Sequence, residues 1–373
     1  MKKVVHLTSA HKRYDQRILW RECCSLQEHG YDVTLVVNDD QDNETLESGV
    51  RILSTGFVPK GRRQRMTEGV QRVYELGIAQ NADIYHLHDA ELLTIALKLK
   101  KRGMKVIFDS HEIYGELLKE KKWLPSGLCD VISNLYSLYE TYVCKRIDGV
   151  ICIGKYDEKE WFCNRSKRYI DVCNYPKLSE YINVTIPPYL ERSGACYSGL
   201  ICKERGLLTI LEAINKSKTH LILAGNFDSK EFQEEFNEKD ENHVSQYLGV
   251  LNRKEIFELY ARCAIGICVL QDTGQTRKIN NFNTKVYEYM AMEMPVILSD
   301  WPYKREMVEK YHFGLVANPN DAYDIAAKII WLLEHSKEAE MMGKNGKKLL
   351  EEKFTWKQSE RNLLKIYEEV IEE

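Results

Sequence analysis

Lys285 and Glu288 stand three residues apart in "KINNFNTKVYEYMAMEMPVI", residues 278–297, where an amide-rich segment gives way to a compact apolar pattern. Asn283 or Thr284 is placed to cap a helix running to about Met292, and Pro295 opens the next strand. A helix N-terminus offers free backbone N–H groups and a partial positive charge, so it attracts anions. A lysine in that first turn opposes the helix dipole unless something anionic compensates it. Glu288 falls on the same face one turn later, about 5–6 Å away at the Cβ level. A phosphate at the helix end, with two vicinal hydroxyls one turn deeper, is the outline of a nucleoside diphosphate. The plain alternative is a solvated lysine–glutamate pair worth a few tenths of a kcal/mol.

A second anion site by position lies in "CYSGLICKERGLLTILEAI", residues 196–214. Gly199 allows close backbone approach, and Lys203 and Arg205 sit in the turn before a helix that begins at Gly206–Leu207. Its bland counterpart is a charged loop.

The first half carries three further clusters. "DIYHLHDAELL", residues 83–93, ends a strand with His86, His88 and Asp89, and alternation sends both histidines to one face, one to be buried and one at the mouth. A zinc site there lacks further ligands in the sequence, and two hydrogen-bonded structural histidines are the alternative. "FDSHEIYGE", residues 108–116, supplies Asp109, His111 and Glu112, and "SAHKRYDQRI", residues 9–18, supplies Arg13, Asp15 and Arg17. Arg17 has the fork that suits an acceptor phosphate. "PKGRRQRM", residues 59–66, sets Lys60, Arg62, Arg63 and Arg65 beside Phe57, Val58 and Met66. Near an anionic bilayer each such cation contributes about 1 kcal/mol, so the loop is a candidate membrane contact as well as a solvated one. "NDDQDNE", residues 38–44, follows a strand and reads as a solvated loop rather than a metal-binding acidic motif.

The elements that must position these residues are short Val- and Ile-rich runs alternating with helical patterns, the signature of parallel sheets covered on both faces. Strands are expected at 4–8, 33–37, 84–88, 105–109, 149–153 and 169–173, then at 195–199, 220–225, 246–250, 265–270, 295–299 and 313–317. The chain of 373 residues exceeds what one core serves, and the proline-rich stretch 174–194 breaks it. This divides the chain into one domain over 1–178 and another over 179–356, with ligand sites where strand C-terminal edges face a shared cleft. A dehydrogenase-like pair of domains would need a glycine-rich turn after the first strand, and "HLTSAHKRYDQR" has no glycine. The last helical pattern, 357–372, has no strand near it in sequence to hold it.

A net charge of −3 gives no reason to expect nucleic acid as a partner. Eleven cysteines without C-x-x-C spacing suit buried thiols in a reducing cytoplasm. The N-terminus is too polar for a signal peptide, and no run of about 18 apolar residues exists, so a cytoplasmic protein is expected, at most peripheral on the inner face of the membrane.

"NTKVYEYMAMEMPVILSD" together with "YSGLICKERGLLTILEAI" resembles the donor-binding half of GT-B glycosyltransferases of the large retaining family 4. "QYLGVLNRKEIFELYARCAIGICVL", "FGLVANPNDAYDIAAKI" and "EKFTWKQSERNLLKIYEEV" resemble that family's following segments, the last being a helix that crosses back onto the first domain. The resemblance implies an α/β GT-B fold of two Rossmann-like domains, with 357–373 joining the first. It implies that Glu288 binds the nucleotide ribose and that Arg205 and Lys285 hold the diphosphate. Gly199, Thr284 and Asn280 complete the implied donor site, and His88 meets the sugar. Asp89, His111, Glu112, Arg13, Asp15 and Arg17 fall on the acceptor side. Two departures stand out. Asn280 replaces a glutamate that often contacts the donor sugar, and Leu200 replaces a phosphate-binding arginine.

The implied activity is retaining transfer of a hexosyl or N-acetylhexosaminyl group, from a UDP-sugar as the expected donor, to a growing surface polysaccharide or lipid-linked glycan. Neither metal nor cofactor is expected. A UDP-N-acetylhexosamine 2-epimerase of the same fold, turning over its substrate without an acceptor, is one alternative. A non-catalytic, partner-binding relative, suggested by Asn280, is the other.

Overall fold

The computed structural model describes residues 1–119, 126–156, 161–181, 184–273 and 276–372. Ile182 and Asn183, within the expected break at 174–194, lie outside the described residues. The chain divides into two compact units, Met1–Asn174 with Trp356–Glu373, and Tyr175–Thr355.

The first unit is built on strands β1 (Lys3–Leu7), β2 (Asp32–Val37), β3 (Glu44–Thr45), β4 (Arg51–Ser54), β5 (Ile84–Leu87), β6 (Lys105–Ser110), β7 (Gly149–Cys152) and β8 (Tyr169–Asp171). They form one eight-stranded sheet in the order β3-β4-β2-β1-β5-β6-β7-β8, parallel except for the β3–β4 pair. Alternate residues serve opposite faces. Val5 and Leu7 pack with Val73, Leu93 and Val143 on one side, while Val4, Val33 and Leu35 pack with Ile18, Leu19 and Leu26 on the other. Register pairs His6 of β1 with His86 of β5, which sets two imidazoles side by side in the sheet.

The terminal helix Trp356–Ile371 belongs to this unit. Its buried residues Leu363, Ile366, Tyr367 and Val370 lie at helical spacing and join the second core face. A side chain at Gly149 would meet Ile366 Cδ1 at 2.9 Å, so the helix approaches β7 closely there. Trp356 Nε1 donates to Ser25 Oγ at 2.8 Å and Ser359 Oγ to the Cys173 carbonyl at 2.9 Å, which fixes the first turn.

The second unit has strands β9 (Ala195–Ser198), β10 (Leu221–Ala224), β11 (Ser245–Tyr247), β12 (Ile265–Cys268), β13 (Val296–Ser299) and β14 (Gly314–Ala317). They make a parallel six-stranded sheet in the order β11-β10-β9-β12-β13-β14. Order reverses at β9, whose neighbours β10 and β12 run away from it in opposite directions, so the crevice beyond its C-terminal end is a switch point. The expected strand at 246–250 is a short edge strand, β11, because the chain turns at Gly249 with φ +70°.

Of the eleven cysteines, only Cys163 is exposed, and none is in a disulfide. Among the described residues no helix is long and apolar enough to cross a membrane.

Candidate active site

In the second unit the loops after β9, β10, β12 and β13 are stitched together at one sheet edge. Gly199 N donates to the Ala224 carbonyl at 2.8 Å, Gln271 N to the Glu204 carbonyl at 3.2 Å, and Leu270 N to Ser299 Oγ at 2.7 Å. Gly199 has φ +111°, and a Cβ there would stand 3.3 Å from Lys285 Nζ. A single turn, Lys203–Arg205, follows, and Gly206 at φ +75° starts the helix Leu207–Ser217. Only glycine fits at 206, since a Cβ would strike the Val269 carbonyl oxygen at 2.3 Å.

Lys285 lies in the first turn of the helix Thr284–Ala291, after Asn283 at the N-cap position. Asn283 makes no side-chain cap bond, contrary to expectation; its Oδ1 faces Cys268 Sγ at 3.8 Å instead. The helix end is therefore uncapped, with Thr284 exposed beside it. Lys285 Nζ rests 3.4 Å from the centre of the Tyr197 ring. Burial pulls its pKa down to about 8, and the nearby Arg205 guanidinium adds to that pull. Among the described residues neither Arg205 nor Lys285 has a carboxylate partner.

Glu288 does not pair with Lys285. It is 5% exposed, and its Oε1 accepts from Arg253 Nη1 at 2.5 Å while Oε2 accepts from the Tyr260 hydroxyl at 3.0 Å. Tyr260 in turn hydrogen-bonds Ser198 Oγ, and Arg253 Nη2 reaches Glu180 Oε2 at 2.6 Å. A carboxylate has about four lone-pair sites, so two remain on Glu288 for further donors. It forms part of the wall of a pocket of about 430 Å³, together with Gly199, Asn226, Leu251, Arg253 and Tyr260. Asn280 is half-buried in the short extended piece Ile279–Asn280 just before this helix.

Arg253, Tyr260 and Lys304 were not singled out in the sequence. Lys304, in the first turn of the helix Pro302–Tyr311, is 3% exposed, sits 4.1 Å from the Trp301 ring centre and has no ion pair among the described residues. Burial brings its pKa to about 8, and Arg205 pushes the same way. Arg253 also occupies a first turn, that of the helix Arg253–Arg262. The dipole argument that marked Lys285 would have marked both.

In the first unit the strand-end residues form a closed network. His86 and His88 are both fully buried, so neither stands at a mouth. His88 Nε2 bonds His6 Nδ1 at 2.8 Å, and its Nδ1 lies 3.2 Å from His111 Nε2 and 3.3 Å from Asp109 Oδ2. Burial lowers the His88 pKa to about 4, against the pull of Asp109, so the ring is neutral at physiological pH. Burial likewise lowers His6 and His86, with His88 contributing.

Arg17 is not available to an acceptor phosphate. It is 5% exposed and forks onto Asp109 with two 2.8 Å bonds. Its remaining nitrogen reaches the Val172 carbonyl at 2.6 Å and Asn174 Oδ1 at 2.8 Å. Burial would raise the Asp109 carboxyl, but Arg17 and then His111 hold it well below the usual range. Arg13 is also internal, forked onto Asp39 at 2.8 and 2.9 Å with Glu44 at 3.2 Å, so the loop 38–44 is tied down rather than merely solvated. Asp15 Oδ1 accepts from the backbone of Arg17 and Ile18 at 2.8 and 2.9 Å, a capping role.

Asp89 accepts from Thr8 Oγ1 at 2.8 Å, Ser9 N at 2.6 Å and Ala10 N at 3.2 Å, and pairs with His11 at 3.0 Å. Burial opposes its ionisation, but the His11 bond outweighs this and holds the carboxyl far down. His11 lies with its ring centre 4.6 Å from that of His111, the two rings tilted, and was missed in the sequence. His111 and Glu112 are half-buried at the strand end. Of the basic loop, Lys60, Arg62 and Arg63 are exposed, while Arg65 pairs with Glu91 at 2.7 Å.

The structure does supply His86 and His88 with metal-type neighbours, His6 and Glu22, all buried. A cation there would have to break the His6–His88 bond and share Glu22 with Arg17, which lies 3.1 Å away. Burial, with Asp109 beside it, pushes the Glu22 carboxyl well up, which suits a proton rather than a metal ion.

Residues 16–170 match the family model described as Glycosyltransferase Family 4, and residues 188–349 that described as Glycosyl transferases group 1. An uncharacterized glycosyltransferase of Methanocaldococcus jannaschii is 25% identical over 267 residues, 69% of this chain and 72% of that protein. The sucrose-phosphate synthase of Thermosynechococcus elongatus superposes with a TM-score of 0.78 at 15% identity, over 100% of this chain and 99% of that one. The Anabaena protein HepE, solved in complex with UDP and glucose, superposes at 0.72 and 12% identity, over 99% of this chain and 100% of that one. Two parallel-sheet units, each matched by its half of one enzyme family, lead to a single assignment: the chain belongs to the family 4 glycosyltransferases of GT-B fold.

Proposed function

We propose that the protein transfers a sugar, with retention of anomeric configuration, from a UDP-sugar to a growing surface polysaccharide or a lipid-linked glycan. The observation that carries the reading is the pairing of two uncompensated cations, Arg205 and Lys285, with the buried carboxylate of Glu288 one turn deeper on the same helix. The diphosphate lies against Arg205, Lys285 and the uncapped helix end, and the ribose diol uses the two lone-pair sites left on Glu288. HepE, a neighbour in fold, has structures with UDP and with UDP-glucose, which favours uridine.

In the transfer step the bond from the anomeric carbon to the diphosphate oxygen breaks as the acceptor oxygen bonds that carbon from the same face. The acceptor proton passes to the departing diphosphate. Arg205, Lys285 and the helix end stabilise the charge that develops there, so no protein base is needed. His88, neutral and buried, acts by holding the end of β5 in place. The acceptor side comprises Asp89, His111 and Glu112, and the exposed Lys60, Arg62 and Arg63 face an anionic membrane surface.

Thermal melting with UDP, GDP, ADP, TDP and CMP, with and without EDTA, tests this. At a hundred times its dissociation constant a nucleotide adds about 2.7 kcal/mol, a shift of several degrees. A rise selective for UDP and indifferent to EDTA is expected. No rise with any nucleotide would favour a non-catalytic, partner-binding role instead, for which Asn280 is the motive.

A further inference from the structure

The helix Cys129–Cys144 of the first unit leaves a large apolar stripe uncovered. Leu128, Val131, Leu135, Leu138, Tyr139 and Tyr142 are 50%, 52%, 60%, 69%, 39% and 51% exposed. At about 100° per residue these side chains fall within an arc about 100° wide. The opposite side of the helix is buried through Ser133, Glu140, Val143 and Cys144, so the stripe is the face turned away from the sheet. A contiguous patch of six such side chains, on the order of 500 Å², is at the upper end for a surface with no partner.

The charge around the stripe selects its occupant. Lys145 and Arg146, both exposed, close its C-terminal end, and Arg146 lies 3.6 Å over the Tyr142 ring. The exposed acidic residue of the helix, Asp130, points about 130° away from the stripe's centre. Antiparallel pairing of two such helices would set Val131 against Tyr142 and Leu135 against Leu138. It would also set Lys145 against Leu128, with no carboxylate to meet either cation. A bilayer with anionic headgroups satisfies both features, taking the leucines into its acyl boundary, the tyrosines at headgroup level and the cations at the phosphates.

We infer that the helix Cys129–Cys144 is the membrane-docking element of this protein, lying in the plane of an anionic lipid surface. The inference gives the proposed lipid-linked acceptor a place to be met, but it rests on surface chemistry and stands apart from nucleotide binding. The basic residues 60–63 would then assist rather than anchor.

The test is cosedimentation of the full chain with vesicles of phosphatidylcholine alone or mixed equally with phosphatidylglycerol. The unmodified protein should bind the anionic vesicles. The double variant Leu135→Ser/Leu138→Ser should lose at least about tenfold in partitioning onto the mixed vesicles. Lys145→Glu/Arg146→Glu should lose about tenfold on anionic vesicles only. UDP-induced melting shifts should be unchanged in both variants, which separates failure here from failure of the transferase reading. Hydrogen exchange in the unmodified chain needs no variant: added vesicles should slow exchange over 129–146. Slowing confined to 60–69 would overturn the inference in favour of the basic loop. A dimer in light scattering that Leu135→Ser/Leu138→Ser dissociates, with no vesicle binding, would overturn it in favour of a second copy.

Discussion

Raising the pH from about 7 to about 9 should weaken UDP binding by about tenfold, and the loss should vanish in Lys285→Met. The lysine carries its charge below about 8 and loses it above. Across that interval its charged fraction drops from about nine-tenths to about one-tenth, and only the ammonium form attracts the diphosphate. A bound diphosphate returns the group toward its ordinary 10.5, so binding above about pH 8 takes up a proton. Calorimetry in two buffers of different ionisation enthalpy reads that uptake directly. Lys304, also brought to about 8, adds a second factor of about ten if its ammonium touches the same anion, and Lys304→Met then restores the single factor. Starting near pH 7 keeps the last phosphate proton, which ionises near 6, out of the window. The ligand-free protein moves the other way. The unfolded chain holds more protons on these lysines between about 8 and 10.5, so their contribution to stability rises with pH while the stabilisation added by UDP shrinks. Affinity that stays flat from pH 7 to 9, with no proton uptake, would refute the placement of Lys285 at the diphosphate.

Glu288→Ala should remove the UDP-induced melting shift while leaving the fold intact, and unchanged affinity would sink the ribose assignment; Glu288→Gln should recover part of it by keeping a ribose acceptor. His88→Ala should leave UDP binding unaltered but cut transfer and lower stability by about 1–3 kcal/mol, since His6 and Asp109 lose a buried partner; full activity with an unshifted melting temperature would place His88 outside the site. Arg17→Met should destabilise by about 3–5 kcal/mol because Asp109 is left buried without its cation, and a phosphate-acceptor defect with no loss of stability would restore it to substrate binding.

Most strands of both sheets were legible because they are Val/Ile-rich runs, whereas β3 and β4 were not expected, being short and largely polar; the terminal helix was legible because its apolar residues recur at helical spacing. The candidate donor-site residues could be picked out for a related reason: a lysine in a helix's first turn and a glycine at a strand's end are local anomalies that a sequence displays. What could not be read was which charges cancel. Arg17 and Asp109 lie 92 positions apart, and only the parallel order of β1, β5 and β6 brings them into one bidentate pair. His6 and His86 meet through register alone. A charged strand-end loop therefore looks the same in sequence whether it awaits a ligand or is already satisfied from a neighbouring strand. Arg13 shows the second case, its partners Asp39 and Glu44 coming from the loop beyond β2.

The two units answer that ambiguity in opposite ways. In the first, every buried charge named at the strand ends has an opposite charge or a hydrogen-bond partner, so the network can hold its shape without substrate. In the second, Arg205, Lys285 and Lys304 form no ion pair with a carboxylate among the described residues, and burial together with Arg205 lowers the basicity of both lysines. Such a cluster destabilises the free unit, and an anion held beside the uncapped helix end would relieve it. Glu288 is the exception that fits: it lies one turn further in and is neutralised by Arg253, so it does not cancel Lys285. If the glutamate had paired with the lysine, as three-residue spacing invites, the helix end would have lost the charge that a diphosphate needs. On the proposed reading, Arg253 serves donor binding without touching the phosphates, by keeping the carboxylate for the ribose and the ammonium for the leaving group.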